Sequence, residues 1–375
     1  MDPEQEGLPL LTPAPDSGHY LAVMCLDAPV ELAIGALGAR PFPAGDLVYV
    51  GSAQRQLAAR LARHRRRGDK RLRWHVDYLR EAARWVEGRL LAGATGPECG
   101  LADAVAALPG ARRVVPGFGA SDCGCAGHLV HVPEGAALPG LLDPAEGVPA
   151  TLVARRHRFG VDARLASGEV VAAYLPNTAR LIGVLSPGCA LLLQPNADPA
   201  RKTRFTATRA RVDGQWVALA ASAAEDLLAA WLAAGHPLAA DLGPAVAVAR
   251  EVRLDRHRLD FRVTLGDGRR AWLEVKSTSV ADGDDALLSR TPSTRGAAHL
   301  ALLGDLVAAG ELAVAAFVVQ RRARRLLVEA GADPGWLAAV RAAIARGVRV
   351  VAFESRVTPA EAWLRGPIPV VDRAS

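Results

Sequence analysis

Residues 260–276 constrain the fold of this chain more than any other stretch. Apolar residues occupy every second position on both sides of a glycine-rich turn, at Phe261, Val263, Leu265, Ala271, Leu273 and Val275. An alternation with a period of two predicts a β-hairpin with one buried face and one exposed face, the exposed face carrying Trp272 and Glu274. The pairing is strongly constrained, because a shift of one residue would move the charged side chains into the core.

The same hairpin is expected to bring three charged residues together. A turn over residues 266–268, with Gly268 at a positive φ, sets Asp260 opposite Glu274, and Lys276 follows on the same face. Paired carboxylates hold a hard divalent cation such as Mg²⁺, which activates water and neutralises phosphate charge, and a lysine can position that water. The pattern favours metal-assisted hydrolysis. The alternative is that the three residues form the solvated face of an edge hairpin.

Composition limits the class of protein. A chain of 375 residues with half of them hydrophobic is long enough for two or three domains. The net charge of +6 and pI of about 9.4 favour a polyanionic partner, and a merely basic soluble protein is the alternative. Five cysteines do not predict a disulfide framework, and no apolar run approaches the roughly 18 residues that span a bilayer. We expect a cytoplasmic protein without a membrane partner.

A small α/β domain is predicted over residues 18–132, after a disordered lead-in over residues 1–17. Strands are expected at 20–26, 30–37 and 46–51, and Ser52 is expected to cap the next helix. That helix becomes very basic, which is typical of a phosphate-binding surface, although a solvated helix end is the alternative. The basic residues that we expect at a nucleic acid are Arg63, Arg65, Arg66 and Arg67.

Two motifs in this domain resemble those of GIY-YIG nucleases. They are Gly18-His19-Tyr20 and Tyr49-Val50-Gly51-Ser52, followed by Arg60 on the predicted helix. The resemblance implies that Tyr20 and Tyr49 act around the attacking water and that Arg60, or alternatively Arg63, stabilises phosphate charge. It also implies a glutamate metal ligand, for which Glu98 is the candidate. The segments at 49–53, 63–64, 74–79 and 121–125 are similar to a small, poorly characterised GIY-YIG-like family.

Four further residues of this domain suit a second kind of metal site. Cys99, Cys123, Cys125 and His128 are residue types that bind Zn²⁺, although the cysteine pair has one intervening residue rather than two. Reduced thiols beside a surface histidine are the alternative.

The middle of the chain predicts a linker and a barrel. Proline and glycine are frequent over residues 133–150, which predicts a linker. Five short strands, at 152–165, 169–174, 190–193, 203–212 and 215–219, then predict an OB-like barrel over residues 151–220. Such barrels often bind single strands in a basic groove, although the arginines can also be exterior decoration.

A mixed α/β domain is expected over residues 221–357, followed by a C-terminal tail over 358–375. Ser222 and Glu225 form a capping-box pattern at the start of a helix that stops at Gly235. Asp333 is expected to cap a second helix, which runs to Arg346. Strands alternate with helices, which predicts crossovers and a mixed sheet with helices packed on it. The fold class is therefore multidomain α/β.

Glu251 extends the charged hairpin into a pattern that resembles PD-(D/E)xK nucleases. The spacing is Glu–x₈–Asp–x₁₃–Glu–x–Lys, from Glu251 to Lys276. The resemblance implies that Asp260 and Glu274 ligate Mg²⁺ or Mn²⁺, that Lys276 orients the water, and that Glu251 supports metal or water from a helix end.

Further motifs over residues 150–355 resemble the sugar fermentation stimulation protein (SfsA) family. They are Arg156-x-Arg158-Phe159, Leu175-Pro176-Asn177-Thr178, Arg201-Lys202-Thr203, Arg258-Leu259-Asp260-Phe261, Glu274-Val275-Lys276, Arg295-Gly296, His299-Leu300 and Val318-Val319-Gln320. The resemblance implies an OB-like barrel before a PD-(D/E)xK-like domain, DNA binding and a nuclease. The residues that we expect at nucleic acid in this part of the chain are Arg156, Arg158, Asn177, Arg201, Lys202, Arg258, Arg295 and His299, although Arg295 and His299 can instead brace the start of the helix. The family usually has Phe-Pro-Asp-Ala where this chain has Leu288-Ser289-Arg290-Thr291, so a cation replaces a carboxylate at Arg290.

Three functions follow from these patterns. The first is a metal-dependent nuclease acting on DNA or RNA at Asp260, Glu274 and Lys276. The second is a non-catalytic DNA-binding or regulatory protein of the SfsA type, linked to sugar metabolism. In the third, the domain over residues 18–132 is the active nuclease and the rest of the chain holds the nucleic acid.

Overall fold

The computed structural model describes residues 16–68, 70–254, 257–288, 294–329 and 333–373. The chain divides into two units between Glu146 and Gly147. Within the described ranges, no helix has the length and the apolar character that crossing a bilayer requires.

The first unit is built on a six-stranded sheet. The strands of this unit are β1 (Gly18–Leu26), β2 (Val30–Ala33), β3 (Ala39–Phe42), β4 (Gly45–Ala53), β5 (Arg84–Ala92), β6 (Arg112–Arg113), β7 (Leu129–Val132) and β8 (Leu141–Leu142). Its helices are α1 (Leu57–Arg65), α2 (His75–Ala82) and α3 (Glu98–Ala106). The sheet order is β6-β7-β4-β1-β5-β8, and β2 and β3 form a separate hairpin. Strand β1 is buried along its whole length, because it lies near the middle of the sheet and pairs with β4 and β5.

Two local expectations for this unit were wrong. Ser52 does not cap α1. It belongs to β4, its hydroxyl donates to Glu98, and the residue before α1 is Gln56 in a left-handed conformation. The strand expected over 30–37 stops at Ala33, because Gly35 has a positive φ and begins a short 3₁₀ turn.

The segment expected as a linker is folded onto this sheet up to residue 146. Its strand β8 pairs with β5, and the Asp143 amide donates to the Gly88 carbonyl at 2.9 Å. The buried carboxylate of Glu146 accepts hydrogen bonds at 2.7 Å from Trp85 Nε1 and from the amide of Gly88. Proline and glycine content does not reveal this pairing, because it depends on residues more than fifty positions earlier.

The second unit begins with a closed barrel. Its strands are β9 (Val148–His157), β10 (Gly160–Leu165), β11 (Val170–Tyr174), β12 (Ala190–Pro195), β13 (Phe205–Val212) and β14 (Gln215–Ala218). Their order is β11-β10-β9-β12-β13-β14, and a parallel pairing of β11 with β13 closes the barrel around an apolar core. The predicted OB-type barrel is confirmed, although the strand expected over 152–165 is two strands.

The remainder of the second unit is a mixed sheet between helices. Its elements are α4 (Ala223–Ala233), β15 (Ala245–Leu254), β16 (His257–Leu265), β17 (Arg270–Thr278), β18 (Ala281–Asp282), β19 (Asp285–Leu287), α5 (Thr294–Ala308), β20 (Leu312–Val319), β21 (Arg325–Val328), α6 (Pro334–Ala345), β22 (Arg349–Val357), β23 (Ala362–Ile368) and β24 (Val370–Asp372). The main sheet has the order β15-β16-β17-β20-β22-β23, with β17, β20 and β22 parallel. The mixed sheet is as predicted. The expected tail over 358–375 instead contributes β23, which pairs with β22, and β24, which pairs with β21.

Both faces of this sheet are covered. Phe261 and Leu273 pack in a cluster with Leu228 of α4 on one face. Trp272 packs in a second cluster with Leu300 of α5 on the other face. Trp272 and Glu274, predicted to be exposed, are therefore buried, because α5 covers the face that the alternation assigns to solvent.

The buried carboxyl of Glu146 gives this fold a dependence on pH. Burial raises its pKa to about 8, so its stabilising contribution is complete below the ordinary value of 4.5 and is lost as the pH rises through about 8. Glu146→Gln keeps the accepting oxygen and cannot ionise. We expect the thermal midpoint of the wild type to fall relative to this variant as the pH rises from about 4.5 to about 8, and to change little relative to it above that, measured by calorimetry.

Glu31→Gln is the matched control for this measurement, because Glu31 is an exposed glutamate of the same unit. It should show no comparable change with pH. A difference between wild type and Glu146→Gln that stays constant from about pH 5 to about pH 9 would show that Glu146 does not titrate as described.

Candidate functional site

Asp260 and Glu274 lie at the end of the β16–β17 ladder. The last pair of the ladder is Phe261 with Leu273, so Asp260 and Glu274 are the next residues of the two strands, and the charge of Glu274 acts on Asp260. Asp260 Oδ2 accepts a hydrogen bond of 2.6 Å from the amide of Val275. The turn has Gly268 at φ 85°, as expected. The hairpin thus holds the Asp260 carboxylate beside β17.

Glu274 is 2% exposed and only one of its oxygens has a hydrogen-bond partner. Its Oε1 accepts from Lys276 Nζ and lies 2.6 Å from His299 Nδ1. Its Oε2 is buried without a hydrogen-bond partner. Because an unsatisfied buried carboxylate oxygen is costly, this atom is suited to a bound cation or to a ligand donor.

The carboxyls around this point repel one another. Burial raises the pKa of Asp260 and the charge of Glu274 raises it further, whereas the Val275 amide, Lys276 and His299 lower it. Burial also raises the pKa of Glu225, followed by the charge of Asp260. A divalent cation among these groups would relieve the repulsion, so the donor set fits a hard metal ion.

Glu225 is a residue of this site that the sequence analysis assigned to another role. Ser222 makes no side-chain capping hydrogen bond, so the predicted capping box is wrong. Glu225 instead lies in the first turn of α4, near enough for Asp260 to influence its ionisation. The feature of the sequence that could have indicated this role is an acidic residue on the helix before the hairpin.

Glu251 lies on a strand, and the expected helix end is wrong. Its neighbours Arg250 and Val252 pair with β16 on either side of Asp260, so Glu251 lies on the strand beside that residue. It is exposed, has φ 52°, and forms an ion pair of 3.5 Å with Arg258. A left-handed backbone is uncommon for a glutamate and marks local strain beside the site.

The expected nucleic-acid residues near this site have different environments. His299 is buried, and its Nδ1 lies 2.6 Å from Glu274 Oε1. Arg295 is exposed in the first turn of α5. Asn177 donates to the Leu219 carbonyl and accepts from the Ala179 amide, each at 2.9 Å, so it braces a loop. Arg290, where a cation replaces a carboxylate, lies outside the described residues.

A groove of about 500 Å³ opens on the barrel. The rings of Phe159 and Tyr174 are stacked with centroids 6.5 Å apart, and Phe159 is 42% exposed. The cationic side chains that line the groove are Arg156, Arg201 and Lys202. Arg158 is exposed, with its guanidinium 5.7 Å from the centre of the Phe159 ring. Aromatic faces among cations are suited to stacked bases and their phosphates.

Tyr20 and Tyr49 lie together in the first unit, on the adjacent strands β1 and β4. Their ring centroids are 6.2 Å apart, and Tyr20 Oη lies 2.9 Å from His64 Nε2, a hydrogen-bond distance. Gly51 faces Tyr20, and a Cβ there would lie 2.3 Å from Tyr20 Oη. Burial raises the pKa of both tyrosines, Glu98 adds to this, and Arg60 opposes it. Arg60 and Glu98 therefore act on the tyrosine pair.

Asp77 organises the surroundings of His64, and neither residue was predicted for this site. Although burial raises its pKa, hydrogen bonds from His64, the amides of Arg73 and Trp74, and Arg63 hold the pKa of Asp77 well below its usual range. Arg63 Nη1 donates to both Asp77 oxygens, at 2.9 and 3.0 Å, so the Arg63 guanidinium is held at Asp77. The i, i+4 spacing of Arg60 and His64 on one helix was the available signal.

The remaining arginines of the basic run, Arg65, Arg66 and Arg67, have different environments. Arg65 forms an ion pair of 3.4 Å with Asp143, whereas Arg66 and Arg67 are exposed beyond the end of α1. Of the residues expected to contact phosphates over 63–67, Arg63 and Arg65 are thus held in ion pairs, and a role for Arg66 and Arg67 at phosphate stays a prediction.

The predicted cysteine–histidine group is assembled in the structure. The donor atoms of Cys99, Cys123, Cys125 and His128 all lie within 4.8 Å of one another. Glu98, the expected metal ligand of the tyrosine site, accepts from Ser52 and has Oε2 3.0 Å from His128 Nδ1. Glu98 is thus situated between the tyrosine pair and the cysteines.

The raised pKa of Asp260 predicts the effect of neutralising it in the absence of divalent cations. Its stabilising contribution is complete below the ordinary pKa of 3.8 and is lost as the pH rises through the raised value. We expect Asp260→Asn in a chelator to raise the thermal midpoint at neutral pH by roughly 2–4 °C, the shift that about 1 kcal/mol produces in a domain of this size. The gain should shrink as the pH falls.

Asp267→Asn in the turn of the same hairpin is the matched control. The amide and then the side chain of Arg269 lower the pKa of Asp267, so its contribution has the opposite sign and its replacement should give no gain. A lower midpoint for Asp260→Asn than for the wild type at neutral pH would contradict the repulsion among these carboxyls.

Three family models match successive parts of the chain. A domain of unknown function, DUF123, matches residues 19–142, the SfsA N-terminal OB domain matches 153–219, and the sugar fermentation stimulation protein RE domain matches 222–361. The first match names no activity, so the likeness of the first unit to GIY-YIG nucleases stays a prediction.

Relatives match the second unit over most of their length. The sugar fermentation stimulation protein homologue of Geobacter metallireducens is 32% identical over 231 residues, covering 61% of this chain and 98% of its own. The homologue of Chloroflexus aggregans is 35% identical over 245 residues, covering 64% and 89%. The solved structure of Pyrococcus furiosus SfsA in complex with Ca²⁺ shares the fold, with a TM-score of 0.53 and 22% identity over 60% of this chain and 95% of that one. This chain belongs to the sugar fermentation stimulation protein family.

Proposed function

We propose that this protein is a metal-dependent nuclease that hydrolyses phosphodiester bonds in DNA or RNA at Asp260, Glu274 and Lys276. The observation that carries the proposal is the buried, unpartnered Oε2 of Glu274 beside Asp260, a carboxyl whose pKa is itself raised. Two acidic groups kept close together at a cost in stability are typical of a functional site.

Asp260 and Glu274 would hold Mg²⁺ or Mn²⁺. When bound, such a cation lowers the pKa of a coordinated water and neutralises charge on a phosphate. Support comes from the Pyrococcus furiosus relative, whose structure was solved with Ca²⁺, another cation that takes carboxylate oxygens.

The chain's own residues prepare this site. Lys276 and His299 both contact Oε1 of Glu274 and so fix the carboxylate, with His299 acting as a positioning residue. Lys276 is partly exposed, which lets its ammonium group orient the attacking water or meet the phosphate. Glu225, with its raised pKa, can hold a proton close to the reacting groups. Arg295, exposed in the first turn of α5, would meet a phosphate.

The barrel groove would bind a single strand. Phe159 and Tyr174 offer ring faces to bases, while Arg201 and Lys202 neutralise phosphates. Binding of this kind releases counterions and weakens steeply as the salt concentration rises.

The first unit supports a second proposal, a GIY-YIG-like nuclease site. It rests on the contact of Tyr20 with His64, whose Nδ1 lies 3.4 Å from Asp77, and on the effects of Arg60 and Glu98 on the tyrosine pair. Tyr20 and Tyr49 would act around the attacking water, with Arg60 stabilising phosphate charge.

Cleavage of labelled single- and double-stranded substrates in Mg²⁺ or Mn²⁺ tests the main proposal. We expect Asp260→Ala and Lys276→Ala each to lower the cleavage rate at least about 100-fold, because each removes a group that acts on the water or the phosphate. Both variants should still bind the substrate through the barrel. Asp267→Ala, which alters an exposed carboxylate of the same hairpin, should cleave like the wild type.

The remaining outcomes separate the alternatives. Residual cleavage by Asp260→Ala that disappears on adding Tyr20→Phe and Tyr49→Phe would assign the activity to the first unit. If all of the proteins bind the substrates and none cleaves them, the nuclease proposal is contradicted and a non-catalytic DNA-binding protein is supported. Binding that is insensitive to salt would count against both.

A further inference from the structure

We propose that Cys99, Cys123, Cys125 and His128 bind one Zn²⁺ as a structural site of the first unit. The three segments that supply these residues are separate in sequence. Cys99 lies in the first turn of α3, Cys123 and Cys125 lie in the loop between β6 and β7, and His128 directly precedes β7. All five cysteines of the chain are reduced in the structure, and three of them meet here.

The distances from the histidine nitrogen to two of the sulfurs match those of a tetrahedral zinc site. Bond lengths of about 2.3 Å for sulfur and about 2.0–2.1 Å for nitrogen separate two sulfurs by about 3.8 Å and sulfur from nitrogen by about 3.5 Å. His128 Nε2 lies 3.5 Å from the sulfurs of both Cys99 and Cys123. The sulfurs of Cys123 and Cys125 are 3.3 Å apart, well beyond the roughly 2.05 Å of a disulfide bond.

The orientation of His128 also suits a metal ligand. Its ring is 2% exposed, and Nδ1 lies 3.0 Å from Glu98 Oε2 while Nε2 faces the sulfurs. A carboxylate is the usual second partner of a metal-bound histidine, and here Glu98 lies within ion-pairing distance of Nδ1, although the two atoms are not aligned as a hydrogen bond. Glu98 is in turn held by the Ser52 hydroxyl, so the histidine is oriented from the side away from the proposed ion.

The backbone closes the loop that presents the ligands. The His128 amide donates to the Phe118 carbonyl at 2.7 Å, and the Gly117 amide donates to the Ala126 carbonyl at 3.1 Å. Gly127 has φ 128°, and a Cβ there would lie 3.3 Å from the amides of Gly117 and Phe118. Only a glycine is accommodated there without strain, and it sets His128 beside the cysteines.

The donor set selects the ion. Three thiolates and one imidazole prefer Zn²⁺ to the hard cations that suit Asp260 and Glu274, and four protein ligands leave no open position for catalysis. The ion would tie α3 to the loop before β7 and so fix Glu98 near the tyrosine pair. The site is independent of hydrolysis at Asp260, since its ligands all belong to the first unit.

Metal content of the full chain tests the proposal. The protein, grown with added zinc and purified without chelator, should carry one zinc per chain by plasma mass spectrometry. Cys123→Ser with Cys125→Ser should abolish it, whereas Cys189→Ser, a thiol of the second unit, should retain it. Replacement of the zinc by Co²⁺ should give the visible absorption bands of a tetrahedral thiolate complex in the wild type and in Cys189→Ser but not in the double variant.

Two histidine variants guard against simple misfolding. His128→Ala should lose the metal, whereas His128→Cys should keep it, because four cysteines also form structural zinc sites. Substoichiometric zinc in the wild type, without cobalt–thiolate bands, would overturn the proposal. A disulfide between Cys123 and either other cysteine, found by mass spectrometry of the protein purified under these conditions, would also overturn it in favour of a redox pair.

Discussion

The proposed hydrolytic site depends on the burial of one carboxylate in the middle of a sheet. Glu274 lies on β17, which is covered by α4 on one face and by α5 on the other. Helix α5 both removes Glu274 from water and brings His299 to its Oε1. Burial of a charge is costly unless the charge is paired. Lys276 and His299 stabilise Oε1 of Glu274, whereas Oε2 is buried without a hydrogen-bond partner. The apolar clusters on both faces support this arrangement.

The first unit shows a related design with different chemistry. Tyr20 and His64 are buried against each other, and His64 Nδ1 lies 3.4 Å from the Asp77 carboxylate. Five nitrogen atoms in all lie within hydrogen-bond or ion-pair distance of that carboxylate. Glu98 has an oxygen 3.0 Å from His128 Nδ1, and its charge raises the pKa of both Tyr20 and Tyr49, so it acts on this group and on the cysteine cluster. A structural ion at the cysteines would therefore affect the geometry of the tyrosine pair without taking part in any reaction there.

Features that depend on local sequence could be predicted. The alternation over 260–276 gave the hairpin and its register, Gly268 gave the turn, and Asp333 caps α6 by accepting from the Trp336 amide at 2.9 Å. The barrel strands and the proximity of Asp260 to Glu274 follow from the same short-range patterns. The motifs of the SfsA family added the order of the domains.

Features that depend on distant pairing could not be predicted. The burial of Trp272 and Glu274 requires α5, and the roles of residues 141–146 and 362–372 require partner strands that no local period reveals. Side-chain contacts between separate helices produce no periodic pattern in the sequence. The position of Glu225 near Asp260 and the pairing of Arg63 with Asp77 therefore could not be predicted. For the same reason, the contact of His64 with Tyr20 could not be predicted from the sequence.

Binding of Mn²⁺ to the wild type and to Glu274→Gln, measured by calorimetric titration with the cysteine cluster intact in both, tests the central claim most directly. Glutamine keeps the shape of the side chain and removes the charge of the unpartnered oxygen. The account predicts that the wild type binds Mn²⁺ and that the variant binds at least about 10-fold more weakly, because a carboxylate ligand has been lost. Equal Mn²⁺ affinity in the two proteins would contradict it.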